Sequence, residues 1–267
     1  MSNLLRLNSG SFVAAGLALF LPLGSAAQQD DWCERMDQDD TVCEVREYDF
    51  RADGDLVVDG GVNGGISVSG WSGDEVRVEA RVSARARNET RALEMLEEVQ
   101  VRAGAEVVES TGPDAGRREN WSVSYRIMVP HETDLELDTH NGGIKIADVR
   151  GDIRFRALNG GVSVEGASGD VSGQTTNGGI DVQLTGQSWD GAGLDLETTN
   201  GGVVVAIPEG YSAELETGTV NGGLDLQVPL TVQGKVGRRL RSTLGDGGAP
   251  VRLITTNGRV KVVRATP

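Results

Sequence analysis

The chain has 267 residues, of which 40 are acidic and 25 basic, so its formal net charge is −15 at pH 7 and its pI is about 4.6. This charge argues against nucleic acid and anionic lipid surfaces as partners, because both require clustered lysines and arginines. Hydrophobic residues make up 38% of the sequence, which is enough for a folded core and excludes a chain that is disordered by composition.

Residues 1–27 have the composition of a secretory signal peptide. One positive charge, Arg6, precedes an apolar run over residues 12–23, and the small residues Ser25 and Ala27 stand where signal peptidase cleaves. The run is shorter than a bilayer-spanning helix, which needs about 20 residues, and no later segment is a better candidate for such a helix. The sequence therefore predicts cleavage after Ala27, export to the periplasm or the cell surface, and no transmembrane segment in the mature chain.

Residues 28–52 form an acidic segment that contains both cysteines, Cys33 and Cys43, ten residues apart. Exported proteins meet oxidising conditions, so this spacing predicts a local disulfide; a redox or metal pair would need a tighter spacing or nearby histidines. The acidic residues could attract cations or cationic peptides. The alternative is a solvated tail that keeps the protein soluble.

Residues 53–267 are dominated by a repeated Asn-Gly-Gly turn followed by an apolar-x-apolar triplet. Six copies, and a seventh with the sequence Asn-Gly-Arg, begin at Asn63, Asn141, Asn159, Asn177, Asn200, Asn221 and Asn257. From Asn141 to Asn221 successive copies lie 18 to 23 residues apart, a period typical of solenoids, and the alternating triplets predict half-buried strands. A Gly-Asp-apolar signal, clearest at Gly151 and Gly169, predicts a second strand in each unit.

The repeated turn predicts an all-β fold, a single-domain parallel β-solenoid of the β-helix type built on the Asn-Gly-Gly repeats. We expect the glycines to take positive φ angles and the turns to stack about 4.8 Å apart, so that the seven asparagine side chains form a structural hydrogen-bonded ladder. Two alternatives stay open. One is a row of asparagines that binds a ligand, and the other is a meander of antiparallel hairpins, which would use the same turns.

Two segments interrupt the repeat. Residues 72–134 form an insertion, in which residues 88–99 predict one short helix and residues 123–129 predict a strand. Residues 229–250 are glycine-rich and predict a loop excursion before the last repeat. That excursion carries the one compact cluster of positive charge, formed by Arg238, Arg239 and Arg241.

Several segments, in this order and spacing, carry a family resemblance. They are residues 125–130, 135–146 and 149–153, followed by Thr-Thr-Asn-Gly at residues 175–178, 198–201 and 255–258. The pattern resembles the bacterial DUF4097 family of putative adhesins over about residues 53–263. The resemblance implies a β-solenoid of parallel strands in an exported or membrane-associated protein, in a family without an established catalytic activity. Some relatives belong to envelope-stress systems that sense membrane-active peptides.

Catalysis by the repeat is the main alternative to a binding function. A β-helix enzyme that cleaves acidic polysaccharides needs two carboxylates about 5 to 10 Å apart. The outward acidic candidates are Asp138, Asp148, Asp152, Asp170 and Asp181. An acidic repeat protein brings some carboxylates together whatever its function, and His131 and His140 lie in no nucleophile motif. We therefore predict no enzyme, no catalytic residue and no cofactor.

Calcium is the metal that the turns could favour, because Asp, Asn and backbone carbonyls are its preferred ligands. The known calcium-binding solenoid repeat has a nine-residue period and a further glycine two positions on. The Asn-Gly-Gly-Ile-x-Val pattern has neither. We predict no metal site and leave calcium binding open.

The favoured function is a non-catalytic exported cell-envelope protein, an adhesin-like or envelope-stress binding module that presents a repetitive β surface. The alternative is a polysaccharide-cleaving β-helix enzyme that acts through outward carboxylates. The predicted partner is an envelope protein, a glycan or a cationic peptide. The tryptophans form no column, which argues against a dedicated glycan groove, and we expect two of them, Trp71 and Trp121, to pack the insertion against the first repeat. The four are Trp32, Trp71, Trp121 and Trp189.

Overall fold

The computed structural model describes residues 32–33, 41–52, 54–228 and 237–265. The predicted signal peptide and cleavage site, most of the acidic segment before residue 41, and residues 229–236 of the predicted excursion lie outside the described residues. Within those residues the chain is all-β apart from one helix, which confirms the all-β part of the predicted fold class, and its strands form two large sheets.

The described residues contain twenty strands and the helix α1, which spans Glu89–Glu98. In chain order the strands are β1 (Thr41–Phe50), β2 (Leu56–Asp59), β3 (Ile66–Trp71), β4 (Val76–Arg85), β5 (Gln100–Ala103), β6 (Val107–Thr111), β7 (Asn120–Pro130), β8 (Leu135–Thr139), β9 (Ile144–Ala147), β10 (Arg150–Asn159), β11 (Val162–Glu165), β12 (Ser168–Asn177), β13 (Ile180–Gln183), β14 (Gly193–Asn200), β15 (Val203–Ile207), β16 (Ala213–Asn221), β17 (Leu224–Leu226), β18 (Arg239–Leu244), β19 (Pro250–Asn257) and β20 (Val260–Arg264). Sheet 1 has the spatial order β1-β4-β7-β3-β9-β11-β13-β15-β20-β17, and sheet 2 has the order β18-β16-β19-β14-β12-β10-β8-β2-β6-β5.

Each repeat supplies one strand to each sheet. A strand of sheet 2 leads into the Asn-Gly turn and a strand of sheet 1 follows, as in β10 and β11 or β12 and β13. Equivalent strands of successive repeats pair in parallel, so that Asn159 is the register partner of Asn177, and Val162 is that of Ile180. This pairing excludes the antiparallel meander for these repeats.

The core lies between the two sheets. Alternation along the strands points Ile144 and Ile146 of β9 inwards, and it does the same for Ile153 and Phe155 of β10; all four are at most 5% exposed. Full burial of one such side chain contributes about 1.5–3 kcal/mol. The apolar-x-apolar triplets therefore form strands because only an extended chain places both apolar residues on the buried face.

A buried threonine completes the sheet 2 strand of most repeats. The hydroxyl of Thr175 donates to the carbonyl oxygen of Gly160 at 2.8 Å, and that of Thr198 donates to Gly178 at 2.7 Å. The same bond is made by Thr139, Thr219 and Thr255. A hydroxyl that is buried between sheets requires a hydrogen-bond partner. Here the hydrogen bond also links the strand of one repeat to the turn of a neighbouring repeat.

The first glycine of the repeated turn is required by packing. A Cβ at Gly160 would lie 1.8 Å from the carbonyl oxygen of Gly142, and a Cβ at Gly178 would lie 1.9 Å from that of Gly160. No glycine of the described repeat turns has a positive φ angle; such angles occur at other glycines, such as Gly166 and Gly169. The prediction of positive φ is wrong because the close approach of neighbouring turns, and not the backbone conformation, excludes a side chain.

The last repeat of the chain is not the last in space. β19 lies between β14 and β16, and β20 lies between β15 and β17. Asn257 is consequently the register partner of Asn200 on one side and of Asn221 on the other. The C-terminal repeat is thus inserted between two repeats that precede it in the sequence.

The excursion predicted as a loop over residues 229–250 contains strand β18, which pairs antiparallel with β16 at the edge of sheet 2. The prediction is wrong for residues 239–244. Leu240, Ser242 and Leu244 alternate inwards and are buried, so this segment has the period of a strand although glycines follow it.

The insertion over residues 72–134 extends both sheets, since β4 and β7 join sheet 1, and β5 and β6 join sheet 2. Its predicted helix is present as α1. The side chain of Asn88 accepts a hydrogen bond from the backbone N–H of Arg91 at 2.9 Å, and Arg46 of β1 donates to the carbonyl oxygen of Leu96 at 3.1 Å. No helix in the described part of the chain is long and apolar enough to cross a membrane.

We predict that Gly160→Ala lowers the free energy of unfolding by about 2–3 kcal/mol, because the added Cβ would overlap a backbone oxygen that cannot rotate away. Gly161→Ala is the matched control. A Cβ at Gly161 would lie 3.6 Å from the carbonyl oxygen of Gly179, so we expect a change within about 1 kcal/mol. Urea unfolding followed by circular dichroism measures both variants. Equal losses in the two would contradict the role of close stacking.

Candidate functional site

The outer face of sheet 2 is covered with paired charges. Arg252 of β19 lies 2.5 Å from Asp195 and 2.5 Å from Glu197 on the neighbouring β14. Arg241 of β18 lies 3.1 Å from Glu216 of β16. The parallel register places opposite charges side by side, so these side chains neutralise one another within the sheet.

The five predicted outward carboxylates do not form one cluster. Asp152 and Asp170 are register partners on β10 and β12, and Asp138 lies on β8 of the same sheet. Asp181 lies on sheet 1, and Asp148 lies in the turn between β9 and β10. Within residues 32–33, 41–52, 54–228 and 237–265, no group of three or more His, Cys, Asp or Glu side chains could hold a metal ion.

The surroundings of Asp138 disfavour the ionised form of its carboxyl group. Burial raises the pKa of its carboxyl group and the negative charge of Asp59 raises it further, whereas Arg156 lowers it. His140, two residues further along the chain, also lowers the pKa of Asp138. The Nδ1 atom of His131 lies 2.9 Å from the carbonyl oxygen of Asp148, and His140 is exposed at the start of a repeat turn.

The asparagines of the turns form a continuous row of side-chain hydrogen bonds. Seven side-chain amides each donate to the side-chain oxygen of the neighbouring asparagine on the side of Asn120, at 2.8–3.2 Å. In space the row runs through Asn120, Asn63, Asn141, Asn159, Asn177, Asn200, Asn257 and Asn221. Each interior amide uses one donor and one acceptor within the row, which stabilises the stack of turns. Asn120, which belongs to no Asn-Gly-Gly sequence, was not predicted.

A groove of about 820 Å³ crosses the outer face of sheet 1 from β7 to β15. Its floor contains the second glycine of five successive turns: Gly65, Gly143, Gly161, Gly179 and Gly202. The outward side chains of the strands stand along it: Ser67, Lys145, Ser163, Asp181 and Val204. We call this feature the glycine groove.

Packing constrains the second glycine of each turn less than the first. A Cβ at Gly161 would lie 3.6 Å from its nearest neighbour, and a Cβ at Gly65 would lie 3.4 Å from its own. The corresponding distances at the first glycines, Gly142, Gly160 and Gly178, are 1.8–1.9 Å. Gly161 and Gly65 therefore have room for a Cβ, whereas a Cβ at Gly143, Gly179 or Gly202 would lie 3.1–3.3 Å from a backbone oxygen. The absence of side chains at these glycines keeps the groove open.

Arg259 marks one end of the groove. In the turn that begins at Asn257 an arginine stands in place of the second glycine, and in space this residue follows Gly202. The lining of the groove stops at Gly202 and Val204. The groove therefore ends where the exposed side chain of Arg259 interrupts the column of glycines.

Trp32 forms the other end, between two arginines. The guanidinium carbons of Arg126 and Arg81 lie 3.8 and 4.9 Å from the centroid of its ring, within the range of cation–π interactions. Arg81 also donates to the carbonyl oxygen of Trp32 at 3.3 Å. Burial lowers the pKa of Arg81, and the positive charge of Arg126 lowers it further. Lys145 on β9, two strands from β7, adds a third positive charge to the lining.

A disulfide between Cys33 and Cys43 holds Trp32 at the groove, and the predicted pairing is confirmed. Cys43 belongs to β1, which pairs with the strand that carries Arg81. Sequence reasoning missed Trp32 as a site residue, although its position next to Cys33 was a usable signal. The indole N–H groups of the other tryptophans donate to backbone carbonyls near them: Trp71 to Glu75, Trp121 to Pro113 and Trp189 to Gly169.

Comparisons with known proteins add a family to this description. The family model described as Toastrack DUF4097 matches residues 126–263, just over half of the chain. No curated protein matches the chain. Among solved structures, a putative cell adhesion protein from Clostridium sporogenes ATCC 15579 is 12% identical, with a TM-score of 0.44 over 84% of this chain and 100% of the other.

Two further solved structures are similar at lower scores. A putative adhesin from Bacteroides fragilis NCTC 9343 is 10% identical, with a TM-score of 0.32 over 82% of this chain and 97% of the other. A putative lipid binding protein from Parabacteroides distasonis ATCC 8503 is 8% identical, with a TM-score of 0.34 over 82% of this chain and 96% of the other.

We predict that the double substitution Cys33→Ser/Cys43→Ser releases Trp32 from the two arginines. Tryptophan emission should shift to longer wavelength and become easier to quench with acrylamide, because Trp32 gains contact with water. Loss of the cross-link should also lower the free energy of unfolding by about 2–3 kcal/mol. Fluorescence and urea unfolding measure the two effects. If the emission shift persists when Trp32→Phe is added, it arises at another tryptophan and the prediction fails.

Proposed function

The chain belongs to the Toastrack DUF4097 family, and from this premise we propose that it is a non-catalytic binding module of the cell envelope, built as a β-solenoid. Its binding surface is the glycine groove on sheet 1. The proposal rests on three features: the export predicted from residues 1–27, the repetitive sheets and the open groove.

The path of the chain supports the solenoid architecture. From β8 to β17 the strands alternate between the two sheets, and equivalent strands of neighbouring repeats pair in parallel. Parallel strands need a crossover connection, and here the crossover is the strand of the opposite sheet. Each repeat thus contacts mainly its neighbours along one axis, as in other repeat proteins.

The column of second glycines is the observation that carries the binding function. Packing leaves room for a side chain at Gly161, yet five successive turns have glycine at this position. Glycine within a strand-rich surface often marks a place where a ligand approaches the backbone closely. The outer face of sheet 2 supports the contrast, because Arg154, Arg241 and Arg252 there pair with neighbouring carboxylates.

The location and the class of partner follow from the same features. A disulfide in a chain with a predicted signal peptide fits an oxidising compartment, which supports the periplasm or the cell surface. Of the predicted partners, a cationic peptide fits the groove least, because Arg81, Arg126 and Lys145 line it. Polysaccharide cleavage has weaker support: Asp152 and Asp170 are adjacent, but Asp152 lies 2.8 Å from Arg154 in an ion pair.

We predict that Gly161→Leu weakens the association of the mature protein, residues 28–267, with the envelope fraction of its own cells. The leucine side chain would stand in the middle of the groove, and the loss should be at least about tenfold, as for a blocked contact at the centre of an interface. Cosedimentation of the purified protein with the envelope fraction measures it, and thermal unfolding checks that the variant is folded.

Gly223→Leu is the matched control for this experiment. Gly223 is the second glycine of the Asn221 turn, a Cβ there would meet nothing within 4 Å, and the residue does not line the groove. This variant should associate like the wild type. If Gly161→Leu also associates like the wild type, the groove is not the binding surface. A loss caused instead by deletion of residues 28–31 would place the binding site in the acidic segment.

A further inference from the structure

The carbonyl oxygens on the floor of the glycine groove are already used as hydrogen-bond acceptors. The carbonyl oxygens of Gly161, Gly179 and Gly202 already accept hydrogen bonds from backbone N–H groups of the neighbouring repeats at 2.9–3.0 Å. A bound peptide or sugar has many polar groups that lose water and need partners, whereas an alkyl chain has none. The floor therefore offers few free acceptors to the donors of a peptide or sugar, which favours an apolar chain.

The groove is also long and lined by small side chains. It crosses six strands, from β7 to β15, which corresponds to about 24 Å at a strand spacing of about 4.8 Å. The outward side chains of Ser67, Ser163 and Val204 are short and uncharged, and Asp181 is the one acidic residue of the lining. An extended alkyl chain has a matching shape, since it is long, narrow and without branches.

The end of the groove at Trp32 carries an excess of positive charge. Arg81 and Arg126 flank the ring of Trp32, and Lys145 lines the groove two strands from Arg126. Arg126 has a carboxylate partner, Glu79, at 3.7 Å, whereas Arg81 and Lys145 form no ion pair within the part of the chain that the structure describes. In a protein with a net charge of −15, this local excess indicates an anionic group on the ligand.

We propose that the glycine groove binds one molecule of a single-chain anionic amphiphile, an inference that rests on the proposed function. The anionic head contacts Arg126 and Lys145 beside Trp32, and the alkyl chain lies along the second glycines towards Arg259. The net charge of −15 opposes attachment to an anionic bilayer. The ligand is therefore a monomer held in the groove and not a lipid within a membrane.

Isothermal titration calorimetry of the mature chain with dodecyl phosphate, below its critical micelle concentration, tests the proposal. We expect saturable binding of one molecule per chain. Each buried methylene strengthens binding by up to about fourfold, so dodecyl phosphate should bind at least about tenfold more tightly than octyl phosphate. Dodecyl maltoside has the same chain and an uncharged head, and it should bind at least about tenfold more weakly than dodecyl phosphate because the charge-assisted hydrogen bonds are lost.

Two pairs of variants locate the head and the chain of the ligand. Gly161→Leu should remove the advantage of dodecyl over octyl phosphate, whereas Gly223→Leu should retain it. Lys145→Gln should weaken the binding of dodecyl phosphate about 3- to 10-fold through loss of one charge-assisted contact. Lys261→Gln is its control, because Lys261 holds the same outward position on β20, next to Val204 and beyond the groove lining.

Absence of binding by the wild type, or equal binding by wild type and Gly161→Leu, would overturn the proposal. Tighter binding of dodecyl maltoside than of dodecyl phosphate would overturn the assignment of an anionic head. These failures are distinct from failure of the proposed function. If dodecyl phosphate does not bind but Gly161→Leu still abolishes envelope association, the groove is the binding surface and the ligand class is wrong. If dodecyl phosphate binds in the groove but Gly161→Leu leaves envelope association unchanged, only the proposed envelope function is wrong.

Discussion

The close approach of neighbouring repeats at the first glycine of each turn is the constraint on which the rest of the structure depends. Because a Cβ at Gly160 would lie 1.8 Å from the carbonyl oxygen of Gly142, the two turns can touch only through their backbones. This contact fixes the register of the strands on both sides. It also brings Asn159 within 2.8 Å of Asn141 and lets the buried hydroxyl of Thr175 reach Gly160.

The same register gives the two outer faces opposite properties. On sheet 2 it aligns acidic and basic side chains, such as Asp195 beside Arg252, and each exposed pair contributes only about 0.2–1 kcal/mol. These pairs contribute little to stability. The paired side chains nevertheless require no other charged partner. On sheet 1 it aligns short side chains such as Ser67 and Ser163 beside the second glycines. A face of paired charges and a face of short side chains thus result from one stacking rule.

Sequence reasoning succeeded where the information is local. Alternating apolar residues predicted the strands, and Asn88 with the following residues predicted the helix, because both patterns act within one element. The positive φ angles of the turn glycines were predicted wrongly. An Asn-Gly turn occurs both in hairpins and in stacked repeats, and only the contacts with the neighbouring repeat distinguish the two. Asn120 and Trp32 were missed for a related reason: each joins its row or site through a partner distant in sequence, Asn63 and Arg126 respectively. Export stays a prediction, because residues 1–27 lie outside the described residues.

The length of the groove depends on the order of the repeats in space, which differs from their order in the sequence. In chain order the Asn221 turn follows the Asn200 turn, and its second glycine, Gly223, would continue the groove. In space the last repeat enters between them, so Arg259 stands next to Gly202 and ends the groove. At the other end Arg81 lies opposite Ser124, beyond the first glycine of the column. The groove is therefore bounded by arginines that no single repeat contains, and its far boundary forms only when β19 and β20, the last strands of the chain, have paired.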